Sequence, residues 1–289
     1  MSDRNARTRV TAPALSQLKR EARPIVMVTA YDATFARLVD ASDVDVILVG
    51  DSLGMVMQGH SHTLKVTLDE MIYHCRCVRR VTRYAHLAAD LPFMSYQVCP
   101  EQALRSAGRL VQEGGAEGVK LEGGAAVISA IKKVVSAGIP VMGHLGLTPQ
   151  SVHAFGGFKV QARGSAAAQT LREDALRLQD AGAYAMVLEG IPAALATEVS
   201  ASLEIPTIGI GAGVGCDGQV LVMQDLLGLD EAFQPRFVRR FAELAAPVRA
   251  AFNDYARDVR ARRFPEACHS HCAPVPAPEP GGASTEPSG

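Results

Sequence analysis

Residues 44–54 read VDVILVGDSLG, a run dominated by branched aliphatics that ends on Gly50, Asp51 and Ser52. Apolar residues without polar alternation mark a strand covered on both faces, and such strands belong to parallel sheets packed between helices. Similar runs occur at residues 25–30, 86–89, 118–121, 140–143, 184–188 and 206–210, with room for an eighth strand at 218–222.

Segments of helical period separate them. Thr67 and Glu70 have capping-box spacing ahead of Leu68, Met71, Ile72, Cys75 and Val78, which return every three or four residues. Pro100 suits a first helical turn, and Ser165 opens a helix that Gly182 can close. Strands alternating with helices to a total of eight predict an α/β fold, a parallel (β/α)₈ TIM barrel; an open doubly wound sheet is the structural alternative.

The domain reading follows. Residues 1–14 are expected to be a flexible N-terminus, and residues 15–272 one barrel domain with a charged helical segment over 235–263. Residues 273–289, rich in Pro, Gly and Ser, are expected to be a disordered tail. The chain of 289 residues is 48% hydrophobic and carries a formal net charge of −1, a balance that gives no reason to expect a nucleic-acid or membrane partner. No apolar stretch reaches membrane-spanning length and the polar start lacks a signal-peptide core, so a cytoplasmic protein is expected. Its six cysteines read as reduced, mostly structural thiols.

In a parallel barrel all strands deliver their C-terminal residues to one rim, where the βα loops build the active site. VILVGD brings Asp51 there, HLAAD Asp90, GVKLE Glu122, VMGH His144 and AMVLE Glu189. Any one of these acids is as readily a helix cap or a partner for a basic residue. Their recurrence at several strand ends is what points to a shared site. Carboxylates gathered in one place repel one another unless a cation compensates, and an all-oxygen donor set favours Mg²⁺ over zinc. Three of the acids can hold a metal while the fourth stays free. Lys120, two residues before Glu122, points to the same side of its strand and reads as an anion anchor or a structural ion pair.

The blocks TAYD, LVGDSLGMVMQGH, ADLPFMSY, VKLEGG, VMGHLGLTPQSVHAFGGFKVQ, VLEGIP and IPTIGIGAGVGCDGQVLVMQDLLGL closely resemble the ketopantoate (3-methyl-2-oxobutanoate) hydroxymethyltransferase family over roughly residues 15–270. The resemblance implies a barrel of the phosphoenolpyruvate mutase-like superfamily, commonly decameric, acting in pantothenate biosynthesis. It also implies transfer of a hydroxymethyl group from 5,10-methylenetetrahydrofolate to 3-methyl-2-oxobutanoate through a Mg²⁺-stabilised enolate. By motif position, Asp51, Asp90 and Glu122 correspond to the metal site. Ser52, Lys120 and His144, with Asp51 and Asp90 beside them, fall on ketoacid-binding positions, and Glu189 on that of the base.

Three other readings compete. GVGCDG at 213–218 satisfies G-x-G-x-x-G after a strand, as in a dinucleotide site, although close packing explains its glycines more simply. A Mg²⁺-dependent 2-oxo acid lyase or mutase of the same superfamily is the runner-up. Such relatives commonly carry a cysteine on a lid loop, and the long loop 145–164 has none. That loop and 53–66 are both expected to act as lids. Finally, Cys268, His269, His271 and Cys272 have metal-ligating chemistry, but their spacing matches no standard zinc site.

Overall fold

The computed structural model describes residues 7–232 and 235–271. In chain order its helices and strands are α1 (Ala12–Arg20), β1 (Ile25–Thr29), α2 (Ala33–Asp40), β2 (Val46–Val49), α3 (Leu53–Val56), α4 (Leu68–Arg79), β3 (His86–Asp90), α5 (Pro100–Arg109), β4 (Gly118–Lys120), α6 (Ile128–Ser136), β5 (Val141–Gly146), α7 (Val152–Phe155), α8 (Ser165–Asp180), β6 (Ala185–Glu189), α9 (Ala193–Ser202), β7 (Thr207–Ile210), β8 (Gly218–Leu221), α10 (Met223–Leu226) and α11 (Ala245–Arg260). The strands pair in sequence order, all parallel, and β8 returns to β1, so the sheet closes. The barrel replaces the open-sheet alternative.

Alternation along each strand sorts the core into two parts. Ile25, Met27, Val46, Leu48, Ala88, Met142, Ala185, Val187, Ile208 and Val220 cluster inside the barrel. Leu15 and Leu18 of α1 join that inner cluster, while Ile47, Val49, Leu87, Ala89, Val119, Leu121, Met186 and Leu188 pack outward in the layer shared with the helices. Counting on by twos from Ala88, Met142 and Val187 puts Asp90, His144 and Glu189 on the inward parity, and Lys120 and Glu122 alternate with outward-packed Val119 and Leu121. Thr67 and Glu70 form the expected capping box, Thr67 Oγ1 accepting from Glu70 N at 3.3 Å and Thr67 N donating to Glu70 Oε2 at 2.7 Å. Pro100 opens α5 as expected.

Several boundaries differ from the sequence reading. Regular structure is present before residue 15: Val10 N donates to the Tyr84 carbonyl, and α1 begins at Ala12. Residues 235–244 are not helical, because their backbone bonds elsewhere; Phe241 N donates to the Leu226 carbonyl and Val238 is buried. The start of α8 does not differ: Ser165 opens it as expected, and Gly182, at φ +95°, follows its C-cap Ala181. The GVGCDG stretch joins β7 to β8, with Gly218 itself in β8, so no helix follows it as a dinucleotide fold requires. A Cβ on Gly213 would lie 2.5 Å from that of Ala193, and its φ is +82°, so close packing accounts for this glycine.

Contacts divide the chain into two units, one ending at Ala242 and one beginning at Glu243. The second contains α11, none of whose residues is buried, and a ring contact between Tyr255 and Phe264 at 5.6 Å. The predicted tail at 273–289, and Cys272 with it, lie outside the described residues. Among the described residues no helix is long and apolar enough to cross a membrane.

His86, at the opposite end of β3 from Asp90, gives stability a pH dependence. It is 1% exposed, and its Nε2 lies 3.0 Å from the Tyr184 hydroxyl. Burial lowers it to about 4, against an opposing pull from Glu117. Between pH 6.5 and 4 the unfolded chain therefore binds a proton that the folded chain refuses. The stabilisation is complete above 6.5 and is lost as pH falls toward 4. A shift of this size corresponds to at most about 3 kcal/mol. His86→Gln should flatten the change in urea midpoint between pH 7 and 4.5 relative to the parent; parallel curves would contradict this.

Candidate active site

Five strands place charged or titratable side chains at the C-terminal mouth of the barrel. Asp90 is the last residue of β3 and Glu189 the last of β6, while Asp51 and Glu122 lie two residues beyond β2 and β4. His144 lies inside β5, which runs on to Gly146 rather than ending at the histidine. Pairing in register sets Asp90 beside Lys120, and the two close an ion pair of 2.8 Å with both side chains nearly fully buried. Asp90 also accepts from the backbone nitrogen of Asp51 at 3.0 Å.

This end of the barrel holds more negative charge than its lysine can balance. Burial pushes Asp51 well above the usual carboxylate range, and repulsion from Asp90 and Glu122 adds to it; Lys120 and a hydrogen bond from Gln150 oppose the rise. Burial works against the Lys120 ammonium, but Asp90, Glu122 and Asp51 outweigh it and hold the lysine charged. Burial likewise works against the Glu122 carboxylate, which His144 and Lys120 nevertheless hold below its ordinary value. Three buried acids sharing one lysine form a hard, oxygen-rich donor set with a charge deficit, which is what a divalent cation such as Mg²⁺ fits. Among the described residues, no three such side chains already close around a single point. Gln150, Lys120 and His144 occupy their oxygens instead: Gln150 Nε2 donates to Asp51 Oδ2 at 2.9 Å, and Gln150 N to Glu122 Oε2 at 3.0 Å.

His144 links this cluster to the fourth acid. Its Nδ1 lies 3.2 Å from Lys120 Nζ and 3.5 Å from Glu122 Oε1, and its Nε2 lies 3.2 Å from Glu189 Oε2. Burial and Lys120 push the imidazole down, yet Glu122 and Glu189 together draw it up to about 9. The lysine contact sets the tautomer when the ring is neutral. An ammonium only donates, so Nδ1 accepts and Nε2–H faces Glu189. The Glu189 side chain is 18% exposed against 3% for that of Glu122, so it alone of the four acids faces open space at the mouth. Ser52 stands at the edge, its Oγ 2.8 Å from the hydroxyl of fully buried Tyr31.

All seven residues singled out from the sequence sit at this mouth. Charge patterning missed three neutral ones: Tyr31 behind Ser52, Gln150 between two acids, and Tyr96, whose hydroxyl accepts from Glu122 N at 3.1 Å. Each lies in a block that carried the family likeness, but without a charge or a strand-end position nothing marked it out.

Residues 9–267 match the family profile described as ketopantoate hydroxymethyltransferase. A 3-methyl-2-oxobutanoate hydroxymethyltransferase of Pelobacter propionicus is 56% identical over 270 residues, covering 93% of this chain and 99% of that one. One from Magnetococcus marinus is 57% identical over 262 residues, covering 91% and 98%. Among solved structures, phosphonopyruvate hydrolase in complex with oxalate and Mg²⁺ superposes with a TM-score of 0.59 at 12% identity, covering 90% of this chain and 93% of that one. A 2,3-dimethylmalate lyase of the PEP mutase/isocitrate lyase superfamily superposes at 0.57 with 15% identity, covering 88% of each chain. At such identities the structures speak for the fold alone, a closed parallel barrel.

Proposed function

The chain belongs to the ketopantoate hydroxymethyltransferase family, and from that membership we propose that it adds a hydroxymethyl group from 5,10-methylenetetrahydrofolate to 3-methyl-2-oxobutanoate, giving ketopantoate for pantothenate biosynthesis. The observation that carries the reading is the division of the mouth into a buried Asp51–Asp90–Glu122–Lys120 cluster and a more exposed Glu189, with His144 between them. A reaction that removes a proton from carbon needs both parts, one to hold the substrate's charge and one to take the proton.

Asp51, Asp90 and Glu122 would hold Mg²⁺. The ion would supply Lewis-acid stabilisation of the charge that develops on the ketone oxygen. Lys120, kept charged by its acids, attracts the substrate carboxylate, and the Ser52 hydroxyl, steadied by Tyr31, orients it. Glu189 takes the C3 proton. His144, with Nε2–H toward Glu189, holds that carboxylate in place. The resulting carbon nucleophile then forms a C–C bond to the one-carbon unit, both C–N bonds of which break in the overall reaction; tetrahydrofolate leaves and water supplies the hydroxyl oxygen.

The lyase or mutase alternative has support only from structures at 12–16% identity, whereas the relatives at 50–57% identity share one hydroxymethyltransferase name. We take the enzyme to be cytoplasmic and, from the family likeness, a homo-oligomer, in the family typically a decamer. A coupled assay tests the reaction. Ketopantoate should accumulate only when 3-methyl-2-oxobutanoate and 5,10-methylenetetrahydrofolate are supplied together; C–C cleavage of 2-oxo acids with no ketopantoate formed would favour the lyase.

A further inference from the structure

Gln150 is a neutral side chain, 6% exposed, set among carboxylates. It lies in the turn Pro149–Ser151, between β5 and α7. Its Nε2 donates to Asp51 Oδ2 at 2.9 Å and to the Leu91 carbonyl at 3.0 Å, while its Oε1 lies 2.8 Å from the Tyr96 hydroxyl and accepts from Gln97 Nε2 at 3.0 Å. Two acceptors at one end of the amide and donors at the other fix which atom is nitrogen. Its backbone nitrogen adds the bond to Glu122 Oε2 at 3.0 Å. One residue thus takes a single oxygen from each of two acids delivered by different strands.

The same turn lies near the start of the long loop 145–164. It leads into α7, where the ring of His153 meets that of His62 edge-on at 5.5 Å, tying this loop to the other long one. The geometry points to Gln150 as a positioning residue: it orients Asp51 and Glu122 for the cation and makes metal binding and ordering of residues 147–157 one coupled event. This rests on the Mg²⁺ reading above. An amide suits the role where a carboxylate would not, because it donates to the acids without adding a further negative charge. Linkage then requires reciprocity: if an ordered turn raises metal affinity, the metal must protect the turn by the same factor.

The test needs neither substrate nor turnover. Mg²⁺ titration calorimetry and amide hydrogen exchange over residues 147–157, with and without Mg²⁺, are to be run on the full chain, on Gln150→Leu and on Tyr96→Phe. The parent should bind Mg²⁺ and show slowed exchange across the turn. Gln150→Leu should bind about 10- to 100-fold more weakly, the usual worth of a group that orients a metal ligand, and should lose the Mg²⁺-dependent protection. A purely structural role would lower its melting temperature while leaving metal affinity and the exchange response intact, and that result would overturn the inference. If Gln150→Leu does not fold, Tyr96→Phe decides. It removes the hydroxyl that meets both Gln150 Oε1 and the backbone of Glu122 but keeps both amide donors, so affinity and protection should fall together by a smaller factor, and parental values for both would overturn the inference. A parent chain that binds no Mg²⁺ at millimolar concentration would remove the metal reading and this inference with it, an outcome distinct from equal binding by parent and variant.

Discussion

Glu189→Gln should lower turnover by about two to four orders of magnitude, the typical worth of a positioned general base, and leave Mg²⁺ and ketoacid affinity within a few-fold of the parent. Glutamine keeps the size of the side chain and can still meet Nε2–H of His144, but it cannot take a proton from carbon near neutral pH. The placement of Glu189 supports this outcome. It lies 3.2 Å from Nε2 of His144, whereas Lys120 and Glu122 meet the other ring nitrogen, Nδ1. Steady-state kinetics combined with calorimetry would separate the two roles open to this acid. A metal ligand at 189 would show as weakened Mg²⁺ binding and a rate rescued by excess Mg²⁺, which would contradict its role as base.

Removing the metal should have the next largest effect. EDTA should abolish turnover and added Mg²⁺ restore it, and Asp90→Asn should raise the Mg²⁺ requirement at least about tenfold. Asp90 does two jobs, pairing with Lys120 at 2.8 Å and accepting from Asp51 N at 3.0 Å. The variant therefore also leaves a buried ammonium poorly compensated, a loss of about 3 kcal/mol or more that denaturant unfolding would detect. Titrating activity against free Mg²⁺ separates the two effects, since a metal-binding defect is rescued by the ion and a folding defect is not. Full activity of the parent in metal-free buffer would contradict the assignment of these acids.

Strands were legible because a parallel strand buried on both faces must be apolar throughout, and runs such as VILV and HLAA have no competing helical reading of sufficient length. The charged residues were legible for a related reason. A polar residue that ends such a run has nowhere to go but the rim, so Asp51, Asp90, Glu122 and Glu189 were marked by position as much as by type. Short elements within the long loops were not legible. Leu53–Val56 and Val152–Phe155 are single turns too brief to show a period, and helices of that length are stable only where tertiary contacts hold them. Residues 235–244 misled in the opposite sense, since their composition suits a helix while the backbone of Phe241 bonds to the Leu226 carbonyl. Gln150 and Tyr96 escaped notice because hydrogen bonds from neutral side chains across 26 to 99 residues of sequence leave no local trace.

With this arrangement of acids the mouth should enolise a 2-oxo acid by itself, before any one-carbon unit arrives. Proton NMR of 3-methyl-2-oxobutanoate in deuterated buffer, with enzyme and Mg²⁺ but no folate, tests it directly. The C3 proton signal should disappear at an enzyme-dependent rate, stay unchanged when EDTA replaces Mg²⁺, and persist about two to four orders of magnitude longer with Glu189→Gln. Exchange at the parental rate in Glu189→Gln would rule out Glu189 as the base, and none in the parent until methylenetetrahydrofolate is added would rule out enolisation before the one-carbon unit binds.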